Sequence, residues 1–216
     1  IDDTVSIVGG FEGDDWSVID PSQYASIITY TTGNSGSEVN PQAPITINIP
    51  NYEFGIAGFT INAVSTIGGG YLAGIVFTTN SGIVNDCIID VTADNAMGIK
   101  SYYSSPVIRN NFIAVTANAT GWGLHLDNRS SGTFNGQPAY PKADSNAITV
   151  NGSAGLKKGI YLYYADGSYI TNNTINAGQA VTESRGVHIA DFSTDCKIYN
   201  NTINGGSAAN INYGID

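Results

Sequence analysis

The chain has 216 residues, enough for one domain with a sizeable core. Only 12% of them are charged, and 18 acidic against 8 basic residues leave a net charge of −10. This balance argues against a nucleic-acid partner, which needs a basic face, and against an anionic membrane surface.

In chain order, the sequence begins at Ile1 rather than Met, so we expect a removed leader and a secreted or cell-surface protein. No apolar run approaches the roughly 20 residues that span a bilayer, so no membrane span is expected. Residues 4–8 and 45–49 alternate as strands. Residues 16–30 read as a strand pair or a short capping helix. Residues 31–44, rich in Gly, Ser, Asn and Pro, read as a loop. Residues 1–53 are thus expected to form an N-terminal cap with the first strands, and 54–216 the body of the fold.

From residue 54 onward the sequence repeats. The pattern Ile-x-Asn-Asn/Asp-x-Ile begins at Ile83, Ile108, Ile170 and Ile198, with degraded copies at Ile56 and Ala143. The steps are 27, 25, 35, 27 and 28 residues. A second marker, Gly followed by an aliphatic residue, runs in phase at Gly74, Gly98, Gly123, Gly159, Gly186 and Gly214. The long step places an insertion between Asp127 and Lys142, whose Gly and Pro residues predict a protruding loop. A unit of about 25 residues holds only a few short strands and cannot bury its own apolar face. Stacking units at about 4.8 Å lets each backbone bond to the unit above and below and lines Ile and Val into interior ladders. Asn tolerates left-handed geometry and its amide can stack on a neighbour, so Asn85, Asn110, Asn146, Asn172 and Asn200 are expected to form a ladder at the turn.

These repeats resemble the right-handed parallel β-helix family, the pectin-lyase-like fold with NosD-type repeats, over residues 54–216. The resemblance implies an all-β, single-stranded right-handed parallel β-helix of about six coils. It implies little about function, since such folds serve lyases, hydrolases, adhesins and surface proteins alike. The last residues begin a further coil with no evident cap. The chain is then a fragment, a capped monomer, or a subunit whose rim pairs with the next copy. The third reading resembles archaeal sheath and surface-layer proteins. It makes the protein an extracellular structural element, its partner another copy of itself. The alternative is a carbohydrate-binding or polysaccharide-degrading protein, with cell-surface carbohydrate as partner.

Few residues suggest chemistry, and no cofactor or metal motif is recognisable. Val76, Lys100, His125, Tyr161, His188 and Asp216 each follow a Gly marker by two residues and are expected on one outward face, with Asp127 and Asp191 nearby. An ordinary solvated strand face is the expectation there, not an active site. Tyr102, Tyr103, Tyr161, Tyr163 and Tyr164 form a possible contact surface for protein or sugar. Cys87 and Cys196 stand four coils apart, on the order of 19 Å, too far for a disulfide. They are expected as packed thiols or partners in intermolecular bonds. Asn118, Asn128, Asn151, Asn172 and Asn200 head Asn-x-Ser/Thr acceptors for glycosylation.

Overall fold

The computed structural model describes residues 5–8, 11–12, 15–19, 26–33, 36–47, 54–78, 82–128, 133–134, 137–138 and 140–216. The described residues form an all-β parallel solenoid of about five turns. This is slightly fewer than the six or so coils expected.

Three ladders surround one core. The first is a sheet of seven short strands, from Val5–Val8 through Phe54–Ala57, Gly82–Asn85, Val107–Arg109, Lys142–Asp144 and Tyr169–Thr171 to Lys197–Tyr199. The second runs from Ser26–Thr32 through Phe59–Ser65 to Thr174–Asn176 and Thr202–Asn204. The third holds Ile45–Ile47, Tyr71–Thr78, Leu156–Tyr163, Glu183–Ile189 and Ile211–Ile215. Two long strands, Ile88–Tyr102 and Phe112–Asp127, pass through both the second and third walls, so one sheet bends around the core. Every pairing within these ladders is parallel; antiparallel pairing occurs among the described residues only in two small hairpins, Phe11–Glu12 with Asp15–Ile19 and Thr133–Phe134 with Gln137–Pro138. The second hairpin lies in the insertion that the long repeat step predicts.

Strands within residues 1–53 join this scheme. Ser26–Thr32 pairs with Phe59–Ser65, Ile45–Ile47 with Tyr71–Thr78, and Gln42 bridges to Leu72, all parallel. Part of the 31–44 loop therefore continues the third wall. The described part of 16–30 is strand, and the capping-helix alternative has no counterpart there.

Alternation decides what enters the core. Ile61, Ile89, Ile113, Ile148 and Ile175 occupy one register column of the second wall, and Ile75, Ile99, Leu124, Ile160 and Val187 one of the third. Val84, Ile108, Ala143 and Ile170 come from the middle of the seven-stranded wall. All are buried in one cluster. Each fully buried aliphatic side chain contributes roughly 1.5–3 kcal/mol relative to exposure. The columns turn a periodic sequence into a continuous core.

The Gly marker has a steric cause. At Gly74, Gly98, Gly123, Gly159 and Gly186 a Cβ would press on the methyl of an Ile from the second wall and on the carbonyl oxygen of the next marker glycine, 2.5–2.8 Å away. These glycines do not adopt positive φ. They are required for close approach, where the backbones of successive third-wall rungs pass at short range.

The Asn ladder is displaced by one residue from the expected set. Its rungs are Asn111, Asn146, Asn173 and Asn201, of which only Asn146 belongs to the predicted five. Each Oδ1 accepts the backbone N–H of the preceding rung: Cys87 to Asn111 at 2.9 Å, Asn111 to Asn146 at 3.0 Å, Asn146 to Asn173 at 2.9 Å and Asn173 to Asn201 at 2.8 Å. Each Nδ2 donates back to a core-strand carbonyl, that of Val84, Ile108, Ala143 or Ile170. Asn110, Asn172 and Asn200 hold the left-handed turn one residue earlier, as do Asp86 and Ser145, all with φ between 52° and 58°. Asn85 precedes that turn and accepts from Arg109 and Asn110 on the outer surface. Both members of the Asn-Asn pair are thus used, the first for backbone geometry and the second for the buried ladder.

Candidate functional site

The outward side of the third wall carries two adjacent columns. One runs Ala73, Met97, Trp122, Lys158, Arg185, Tyr213; the other runs Val76, Lys100, His125, Tyr161, His188. The first is apolar from Ala73 to Trp122 and then carries Lys158 and Arg185; the second holds polar and aromatic groups after Val76. Ala73, Val76, Met97 and Trp122 form a second apolar cluster outside the main core, joined by Ala43, Tyr71, Leu156 and Tyr161.

The expected residues do share one face, but the expectation of a solvated surface is overturned. Lys100 and His125 are each 1% exposed, and Asp127 is equally buried. Lys100 Nζ lies 3.2 Å from His125 Nδ1, 3.1 Å from its Nε2 and 3.7 Å from Asp127 Oδ2. A buried cation is tolerated only when paired, and Asp127 supplies opposite charge. Tyr161 separates the two histidines, with ring centroids 4.8 Å from His125 and 5.1 Å from His188. That spacing does not bring the imidazoles to one metal, and no group of three or more His, Cys, Asp or Glu among the described residues is placed to hold an ion.

Farther along lies a mixed-charge cluster. Lys158 Nζ sits 3.9 Å from the Tyr161 ring centroid and 3.8 Å from Glu183 Oε1. Arg185 meets Glu183 at 3.1 Å and Asp216 at 2.6 Å, and its Nη1 is hydrogen-bonded to His188 Nε2. Burial pushes the Lys158 ammonium down to about 8, against the opposing pull of Glu183. Burial raises the Tyr161 phenol to about 12. Burial, then Lys158 and Arg185, lower His188 to about 4, with Asp216 opposing. His188 is therefore a neutral acceptor at pH 7.

This shift fixes a pH dependence. The unfolded chain protonates His188 near 6.5, while the folded chain withholds that proton until about 4. Stability from this site is complete above 6.5 and is lost as pH falls towards 4. For a half-buried group, with solvent screening discounted, the loss is about 1–2 kcal/mol. Urea unfolding at pH 7 and pH 4.5 should show this loss in the parent chain and its near absence in His188→Gln.

The tyrosines form two pairs at the corner after this wall. Tyr102 and Tyr103 meet edge-on with centroids 4.1 Å apart, as do Tyr163 and Tyr164 at 4.7 Å. Tyr164 also stacks on Phe192 at 4.7 Å. Phe192 was not expected. It follows its Gly marker by six residues, where Tyr103 and Tyr164 follow theirs by five, and one inserted residue hides the correspondence.

Both cysteines are free. Cys87 stands in the Asn ladder's column and points into the core, 1% exposed, so it is closed to an intermolecular bond. Burial pushes its thiol up to about 11. Cys196 is half-buried near the carbonyl oxygens of Ala165 and Ser193, 3.4 and 3.8 Å away. Of the five glycosylation acceptors, Asn118, Asn151, Asn172 and Asn200 are exposed. Asn128 is 6% exposed and its Nδ2 donates to Ser105 Oγ at 3.0 Å, which removes it as an acceptor.

In comparisons with known proteins, no family model, no curated protein and no solved structure matches this chain.

Proposed function

We propose that the chain is a secreted or cell-surface structural protein, a right-handed β-helix of the pectin-lyase-like, NosD-repeat kind. Its coils stack end to end with further copies, as in archaeal sheath and surface-layer proteins. One observation carries this reading. All three ladders keep one parallel register from rung to rung, through Lys197–Tyr199, Thr202–Asn204 and Ile211–Ile215. A flat, in-register stack of this kind is a template on which further rungs can pair. A second reading, carbohydrate binding or cleavage, draws on the Tyr161–His188 stack beside Glu183, Arg185 and Asp216.

Light scattering and electron microscopy of the purified chain test the first reading. Rods that lengthen with concentration are expected. Ile203→Lys combined with Ile215→Lys, which charges the inner rim, should abolish the rods while circular dichroism shows the chain still folded. Particles of one-chain mass at every concentration, from the parent chain, would sink the stacking reading.

A further inference from the structure

The corner between the third wall and the seven-stranded wall holds three aromatic residues in the left-handed backbone region: Tyr103 at φ 53°, Tyr164 at 52° and Phe192 at 57°. Bulky side chains avoid this region, because Cβ crowds the neighbouring carbonyl. The other left-handed column, at the far end of the seven-stranded strands, is filled by Gly58, Asp86, Asn110, Ser145, Asn172 and Asn200, nearly all small or Asx residues suited to it. Backbone geometry alone therefore does not account for aromatic residues here. Nor does burial, since Phe192 is 67% exposed and stacks on Tyr164 at an interplanar angle of 25°. Three strained aromatic positions, two partly buried and Phe192 exposed, point to a contact outside the fold.

Charge at this corner identifies what fits. The exposed cations among the described residues are Arg109, Lys142 and Lys197, and all three lie on the outer face of the seven-stranded wall. Lys142 and Lys197 flank Tyr169 in one column, with Nζ atoms 5.8 and 4.7 Å from its ring centroid. Lys197 comes five residues after Phe192. Exposed Asp191 and Asp195 stand on either side of Phe192 in sequence. The strip thus has an aromatic centre, carboxylates beside it and ammonium groups on the adjoining wall. Such a strip is self-complementary. A two-fold axis through the aromatic centre sets the carboxylates of each copy against the lysines of the other. At a net charge of −10, two copies repel at long range, and a corner carrying both lysines and the exposed carboxylates Asp166, Asp191 and Asp195 is where opposite charges of two copies can meet.

We infer that this corner is a lateral contact for a second copy of the chain, separate from end-to-end stacking; the inference rests on the self-assembly reading. The aromatic rings form its centre, and Lys142 and Lys197 facing the partner's Asp191 and Asp195 set its orientation.

Sedimentation of the Ile203→Lys/Ile215→Lys chain, in which axial stacking is blocked, isolates this contact. A monomer–dimer equilibrium is expected at low salt, weakened about tenfold or more in 0.5 M NaCl, because exposed charge pairs are screened. Phe192→Asn should weaken the dimer at least tenfold while leaving the thermal midpoint equal or higher, since Asn tolerates the left-handed backbone. Lys142→Glu/Lys197→Glu and Asp191→Lys/Asp195→Lys should each stay monomeric alone and form a heterodimer when mixed. A chain monomeric at all concentrations overturns the lateral contact, including one retained by neutral polysaccharide instead. So does a dimer insensitive to Phe192→Asn. Rods from the parent chain without dimers in the rim variant sink the lateral contact alone; dimers without rods sink end-to-end stacking alone. Should the rim variant not fold, micrographs of the parent chain decide. Paired rods that separate on Phe192→Asn are expected, and rods single from the outset overturn the inference.

Discussion

Gly123→Ala is expected to lower the folding stability by about 3 kcal/mol or more, the upper range for overpacking a core. The added methyl would press on Ile148 Cγ2 and lie 2.5 Å from the carbonyl oxygen of Gly159. Ile148 is packed in the core, and the Gly159 carbonyl is held in the ladder of the same wall. Relief would therefore require adjacent rungs of the third wall to separate and Ile148 to repack. Gly214→Ala provides the internal control, because a Cβ there meets nothing within 4 Å. Urea midpoints of the two variants should differ by nearly the whole effect. Equal midpoints would show that close backbone approach is not why glycine recurs in this column.

Asn146→Leu is expected to cost about 3–4 kcal/mol, from buried polar groups left without partners. The substitution keeps the approximate volume and apolar surroundings, so packing changes little. It removes the acceptor of the Asn111 N–H, at 3.0 Å, and the donor to Ile108 O, at 2.9 Å. Both groups lie inside the solenoid, away from water, and each orphaned group costs about 1–3 kcal/mol. Asn110→Leu should behave differently. Asn110 is exposed, and its loss mainly places a branched residue at φ 54°, costing about 1–2 kcal/mol. Amide hydrogen exchange separates the two cases. Asn146→Leu should deprotect the Asn111 amide, which Asn110→Leu should leave protected. Equal losses from both would place the ladder where the repeat alone suggested.

The two predictions show how far the repeat is legible. A period of about 27 residues with two markers in phase is enough for parallel stacking, because short alternating strands have no other partner for their apolar faces. The phase of the Asn pair is not legible. Either residue suits a turn, and only the path of the chain decides which amide enters the core. Cys87 illustrates this. It occupies the ladder column, but no Asn marks it there, and its burial follows from register with Asn111. Lys100 and His125 illustrate the opposite limit. Their spacing after the Gly marker correctly places them on the outward side of the third wall. Alternation, however, distinguishes inside from outside a strand and says nothing about what covers the outside. His125, for example, is packed between the Trp122 and Tyr161 rings, with centroids 4.7 and 4.8 Å away, contacts that alternation does not announce. Phe192 was hidden for a simpler reason, since one inserted residue breaks the count without breaking the stack.

The all-β class, the parallel stacking, the aliphatic columns and the place of the insertion are legible in the residues alone, because they depend on period and alternation. Which Asn is buried, that the marker glycines abut one another across rungs, and that a Lys–His–Asp group and an aromatic corner with an exposed Phe192 exist are settled by the packing of the folded chain. Those features depend on distances between residues some 25 positions apart, and on the bend that carries one wall into the next. A repeat constrains such distances only to within a residue, whereas hydrogen bonds and close contacts depend on fractions of an ångström.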